Sequence, residues 1–253
     1  MKLQLILEQL YGVKKYHSMT WVELIKHLES QYGITMSRGV WGQVFIHPSW
    51  NYVVKVFDTD NAYLQFVKFA IDNPDKHYPK FISRPIEMHM FHKRSSDIIN
   101  KKFYIVKIEK LQELDQKHLM FFKLDVIMDL CKAVYNNKEN YNLPVVHFKK
   151  SLSLSKVVDD ITFENQNVKQ FMQQYSYMQL ETLIPSIIKI IQNFKGKGLK
   201  WDLHGKNAMQ RSDGTIVITD PYSNNKLEKP FFDYHSNISI SGPDLNKITR
   251  AIG

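Results

Sequence analysis

The chain has 253 residues, is 43% hydrophobic and 23% charged, and carries a formal net charge of +9. That length allows one sizeable core or two small lobes, and the composition excludes wholesale disorder. No apolar run is long enough to span a bilayer, and a single cysteine, Cys131, excludes an internal disulfide framework and suits a reducing cytoplasm.

Two helical patterns open the chain. The N-terminus starts apolar, but Glu8 arrives early and no small-residue cleavage site follows, which argues against a signal peptide. In the second pattern Thr20 and Glu23 have capping-box spacing, and Trp21, Leu24, Ile25 and Leu28 recur at helical spacing until Tyr32–Gly33. From Ile34 the texture is that of strands: SRGVWGQVFIHP and NYVVKVFD read as a hairpin turning at His47–Asn51. NAYLQFVKFAI reads as a helix ending near Asn73–Pro74. IEMHMFH and KKFYIVKIEKL read as strands separated by the turn-rich KRSSDIIN.

After Leu111 the pattern turns helical through HLMFFKLDVIMDLCKAVY, where Cys131 reads as a buried structural thiol, and a polar loop follows from Asn136 to about Lys156. Ser151, Ser153 and Ser155 belong to that loop. In LETLIPSIIKIIQNF one face collects Leu180, Leu183, Ile184, Ile187, Ile188, Ile191 and Phe194, with Pro185 in the first turn or at a kink. GKGLKWDLHGKNAMQRSDGTIVITDPYS reads as loop, strand, a turn at Ser212–Asp213–Gly214 and a second strand. The remainder is polar and irregular, with at most one terminal helix. The pattern predicts an α+β chain with a helical extension over 1–33, a small β-rich lobe over 34–110 and a helical lobe with the acidic hairpin over 111–253.

Phosphoryl transfer needs a cradle for phosphates, a cation on them, hard-oxygen metal ligands and a carboxylate for the attacking hydroxyl. Gly39 and Gly42 in SRGVWGQVF are candidates to bring backbone N–H groups near phosphates, with Val44 beneath a planar base; glycines of any hairpin also serve tight packing. Lys55 stands mid-strand in YVVKVF, where phosphate oxygens would give its ammonium a role and a solvated strand face is the plainer alternative. Asp202 and Asn207 in DLHGKN have catalytic-loop spacing, and Asp220 follows the apolar IVIT. A lone Asp–Asn pair is usually turn chemistry. A strand lysine, then D-x-x-x-x-N after a long helix, then a strand-borne aspartate is much rarer by accident. It assigns Asp202 to the acceptor hydroxyl and Asn207 and Asp220 to Mg²⁺.

Over roughly residues 34–225 this layout resembles the protein-kinase-like superfamily. RGVWGQVFIHPSWNYVVKVF, Ala62–Tyr63 and WDLHGKNAMQRSDGTIVITDPYS are most similar to the early serine/threonine protein kinases of lytic podovirus-type bacteriophages. The resemblance implies a two-lobed α+β fold with a shortened helical C-lobe, ATP and Mg²⁺ as cofactors, and host proteins as substrates in the host cytoplasm. It implies Lys55 on the α/β-phosphates, Asp202 as catalytic aspartate, and Asn207 and Asp220 on the metal. Neither a membrane nor a nucleic-acid partner is expected; the lysines are scattered as pairs and no base-reading motif is present.

The departures are specific. Lys200 and Trp201 stand where the family has histidine and arginine, so activation-loop phosphorylation has no evident reader. Asp220–Pro221–Tyr222 replaces Asp-Phe-Gly, and proline disfavours a flip of that segment. No Ala-Pro-Glu follows. NAYLQFVKFAI carries no glutamate for Lys55, which leaves Tyr63, Gln65 or Glu87 as its neighbour. DLHGKN also resembles the loop of aminoglycoside and choline kinases, with His204 positioning Asp202 or phosphate, so a small-molecule phosphotransferase is the alternative. A pseudokinase that binds a host protein is a further one.

Overall fold

The computed structural model describes residues 19–38, 42–58, 61–94, 97–115, 179–203, 205–224, 238–240 and 242–252. The first helical pattern, HLMFFKLDVIMDLCKAVY with Cys131, and the serine loop lie outside them. Two compact units result: Met1–Ile71 with Lys80–Lys110 and Lys226–Gly253, and Asp72–Pro79 with Leu111–Asn225. The α+β class expected from the sequence holds, with a β-rich first unit and the acidic hairpin in the second.

The first unit is built on a seven-stranded sheet. Its strands are β1 (Met19–Thr20), β2 (Thr35–Arg38), β3 (Gly42–Ile46), β4 (Tyr52–Asp58), β5 (Ile86–Arg94), β6 (Asp97–Glu109) and β11 (Ile238–Ile240). They lie in the order β1-β11-β5-β6-β4-β3-β2, and every neighbouring pair is antiparallel. Because side chains alternate along a strand, Val54, Val56, Phe103, Ile105, Met88 and Met90 share one face. There they form a core with Trp21, Leu24 and Leu28 of helix α1 (Trp21–Tyr32) and Leu245, Ile248 and Ala251 of helix α4 (Gly242–Ile252). The other face carries Lys55, Phe57, Tyr104 and Val106, and Phe57 meets Tyr63 of helix α2 (Asn61–Asp72) edge to face.

Helix α1 begins as the spacing predicts. Thr20 accepts from Glu23 N–H while the Glu23 carboxylate accepts from Thr20 N–H, and Gly33 ends the helix at φ 62°. Three segments differ from expectation. Thr35–Arg38 and Gly42–Ile46 form two strands, β2 and β3, that pair with each other. Strands β5 and β6 run through most of KRSSDIIN, with His92, Lys93 and Arg94 opposite Ile99, Ile98 and Asp97; adjacent isoleucines favour extended backbone, and pairing satisfies its polar groups. The closing region contains strand β11, which pairs with β1 and β5, before the one helix expected.

In the second unit, helix α3 (Leu180–Phe194) buries Leu183, Ile184, Ile187, Ile188, Ile191 and Phe194 as its period requires. Pro185 lies inside the helix, beyond the first turn. Four short strands follow: β7 (Leu199–Trp201), β8 (Ala208–Gln210), β9 (Ile216–Ile218) and β10 (Tyr222–Asn224). Strand β8 pairs with β9 and β7 with β10, so one antiparallel pair is nested in sequence inside another. Among the described residues, no helix is long and apolar enough to cross a membrane.

Candidate active site

The nested ladders explain where three oxygen-bearing side chains meet. The outer pair stops at Trp201 opposite Tyr222, and the inner pair begins at Ala208 opposite Ile218. Asp202 leaves the outer ladder on one strand and Asp220 enters it on the other, while Asn207 ends a 3₁₀ turn (Gly205–Asn207) just before β8. Backbone bonds close the gap. Asp202 N–H donates to the Pro221 carbonyl at 2.9 Å, and the Asn207 carbonyl accepts from Thr219 and Asp220 N–H at 2.9 and 3.3 Å. Asn207 Nδ2 donates to the Asp202 carbonyl at 2.6 Å and to its carboxylate at 3.4 Å. The structure thus brings Asp202, Asn207 and Asp220 together, each half-buried.

Packing beneath the cluster is apolar. Leu203, Ala208, Ile216, Val217 and Ile218 are buried, and Tyr222 lies against Phe194 with ring centroids 5.0 Å apart. The Asp220–Pro221–Tyr222 triplet is therefore pinned at its centre by a hydrogen bond and at its end by a buried ring. At the far end Asp213 caps the Ser212–Asp213–Gly214 turn. Its carboxylate accepts from Thr215 N–H at 2.9 Å, a bond that holds its pKa below the ordinary value, and Gly214 takes φ 82°.

A segment far away in sequence supports this hairpin. His77 is fully buried, its Nδ1 2.8 Å from the Ile216 carbonyl and its Nε2 2.8 Å from the Thr182 hydroxyl. Burial pushes its pKa below the usual imidazole value, so the ring is neutral. A carbonyl only accepts, so Nδ1 donates to Ile216 and Nε2 takes the hydroxyl proton. The His77 carbonyl accepts from Ile218 N–H at 2.8 Å, so one residue grips β9 at both ends. The Arg211 guanidinium binds the carbonyls of Lys76 and Tyr78, and the Tyr78 hydroxyl donates to Ser186 of α3 at 2.6 Å. Sequence reasoning missed His77 and Arg211 because nothing local marks them; HYPK and QRSDG carry no pattern that predicts their meeting.

The first unit holds the remaining sequence-predicted residues that are described. Lys55 on β4 lies directly opposite Val44 on β3 and Val106 on β6, so all three occupy one face of the sheet. Its Nζ is 3.4 Å from the centroid of the Tyr63 ring. Gly42 is needed for space: a Cβ there would come within 2.9 Å of the Val56 carbonyl oxygen and 3.4 Å of Lys55 Cε. Gly39 lies outside the described residues, as does His204. Glu87 is engaged elsewhere, with Lys102 at 3.1 Å and His89 at 3.4 Å; the Lys102 bond chiefly keeps its pKa below the ordinary carboxylate value.

The donor set of the hairpin fits a hard divalent cation. The Asp220 carboxylate and the Asn207 amide oxygen suit Mg²⁺, which takes a few protein oxygens and completes its shell with water or phosphate. With Nδ2 of Asn207 committed to Asp202, Oδ1 is the amide atom left to ligate. Among the described residues there is no group of three or more His, Cys, Asp and Glu side chains that could hold a metal.

No protein-family model and no curated protein matches the chain. Among solved structures it is similar to the spectinomycin phosphotransferase APH(9)-Ia, in complex with ADP and spectinomycin. The two share 15% sequence identity over 81% of this chain and 68% of that one, with a TM-score of 0.29.

Proposed function

We propose that the chain is an ATP- and Mg²⁺-dependent phosphotransferase that moves the γ-phosphate of ATP onto a hydroxyl group. The observation that carries this reading is the hydrogen-bonded meeting of Asp202, Asn207 and Asp220 at the break between two nested strand pairs. Asp202 orients the acceptor hydroxyl and takes its proton as the O–P bond forms. Asn207 and Asp220 hold Mg²⁺, which neutralises charge on the phosphate oxygens when bound. Lys55 binds the α- and β-phosphates, and Val44 lies beneath the base. ADP leaves with the electron pair of the broken bond.

For the acceptor, a small-molecule hydroxyl is the reading that DLHGKN supports, because this loop resembles that of aminoglycoside and choline kinases. The hairpin motif's resemblance to phage serine/threonine kinases supports the second reading, hydroxyls of host proteins.

Transfer of labelled γ-phosphate separates these readings. The wild-type chain and Asp202→Asn are compared on a bacterial lysate and on its small-molecule fraction, each with ATP and Mg²⁺. Asp202-dependent label in the small-molecule fraction supports the first acceptor, and label in proteins supports the second. Label in neither, with nucleotide still bound, overturns the enzyme reading in favour of a pseudokinase.

A further inference from the structure

We infer that Tyr63 is the positioning residue of Lys55, holding its ammonium over the face of an aromatic ring. The inference rests on the phosphotransferase reading for its consequence, but its geometry stands apart from that reading. Lys55 Nζ lies 3.4 Å from the Tyr63 ring centroid, well inside the range of a cation–π contact. Tyr63 sits in the first turn of α2, where no acidic residue is present. Tyr63 is buried and Lys55 half-buried, so the contact is partly shielded from water.

The ring is braced. Phe57 meets it edge to face, with centroids 4.7 Å apart at 83°, and Phe57 is itself stacked on Tyr104 at 5.7 Å. Phe57 lies two residues beyond Lys55 on β4, so the strand that carries the cation also carries the residue that fixes the ring. Phe66, one turn further along α2, stands 6.5 Å from Tyr63 and is fully buried. Gly42 lies close to the lysine stem, where a Cβ would meet Cε at 3.4 Å.

The chemical consequence follows from the absence of formal charge on the ring. A π face orients the ammonium without placing a formal charge of its own beside it.

Two measurements test this, one of the contact and one of its role. In protein labelled at lysine Cε, the Lys55 Hε resonances are expected to be shifted upfield by the ring current in the wild type and in Tyr63→Phe. They should return toward ordinary values in Tyr63→Met and Tyr63→Leu. Direct ATP–Mg²⁺ binding is expected to weaken about 5- to 30-fold in Tyr63→Met, to stay near wild type in Tyr63→Phe, and to weaken no further when Tyr63→Met is added to Lys55→Ala.

An ordinary Lys55 resonance in the wild type overturns the contact, whether or not the variants fold. Tyr63→Phe as damaging as Tyr63→Met, or an equal loss in the Lys55→Ala background, overturns the positioning role, since the hydroxyl or mere packing would then explain it. A shifted Lys55 resonance in a protein that binds no ATP–Mg²⁺ removes the phosphotransferase reading and the role together while the contact remains. Binding and transfer that ignore Tyr63 remove only this inference.

Discussion

Asp202, Asn207 and Asp220 are held within one hairpin by bonds between backbone atoms and by the Asn207 side-chain amide. The surroundings of Lys55 are assembled differently, from β3, β4, β6 and α2, by ring contacts and by the space that Gly42 leaves. The first arrangement fixes directions, because hydrogen bonds at the break in a ladder set where each side chain departs. The second fixes volumes, because the lysine packs on the Tyr63 ring and Gly42 has no room for a Cβ beside the Val56 carbonyl. Substitutions should therefore act by loss of a ligand in the hairpin and by repacking around the lysine.

The largest effect is expected from Asp220→Ala. With the carboxylate gone, Mg²⁺-nucleotide chemistry should fall by about a thousandfold or more. The thermal midpoint should move little, because the backbone bond at this position runs through Asp220 N–H, which the substitution keeps. Phosphoryl-transfer rates and a melting curve on the same sample check both halves. A variant of full activity would remove Asp220 from the site.

Lys55→Ala should lower kcat/KM by about 10²- to 10³-fold through lost charge stabilisation, with the fold retained. An unchanged rate would return Lys55 to a solvated strand position. Gly42 and Gly214 then sharpen the contrast without touching a reactive group. Gly42→Ala places a Cβ 2.9 Å from the Val56 carbonyl and should cost about 1–3 kcal/mol by overpacking. Gly214→Ala meets nothing within 4 Å and should cost about 1 kcal/mol through its φ of 82°. Gly214→Asn should recover much of that loss, because asparagine tolerates the left-handed region, whereas Gly42→Asn should be worse than Gly42→Ala. Denaturant midpoints for the four variants decide the matter. Equal behaviour at the two glycines would end the distinction drawn between the regions.

What could be read from the sequence divides along the same line. The capping box of α1, the apolar period of α3 and the Asp202–Asn207–Asp220 spacing are local, and each corresponds to a feature of the structure. The α+β order was legible because periods of two and 3.6 residues alternate along the chain. Pairing between distant segments was not. Nothing in ISI announces that Ile238–Ile240 inserts between β1 and β5, and KRSSDIIN looks like a turn until its partners are known. Tyr63 was one of three candidates beside Lys55, because a helical tyrosine reads equally as core, as hydrogen-bond donor or as π face.

His77 tests how far the hairpin is a local object. Its neutral ring and its carbonyl grip β9 from a segment well over a hundred residues earlier in the chain. Because burial lowers its folded pKa beneath the ordinary 6.5, the unfolded chain binds a proton that the folded chain refuses as pH falls. The stabilisation is therefore complete above about pH 6.5 and declines on acidification, by at most about 1.4 kcal/mol per pH unit, until the folded pKa is reached. His77→Gln keeps a neutral donor and acceptor but removes the titration. Its stability at neutral pH should drop modestly, and the difference between wild type and variant should shrink as the pH is lowered from about 7.5 to 5. If the two melting-temperature profiles run parallel over that range, His77 is not neutral in the fold, and the hairpin owes less to this distant segment than its bonds imply.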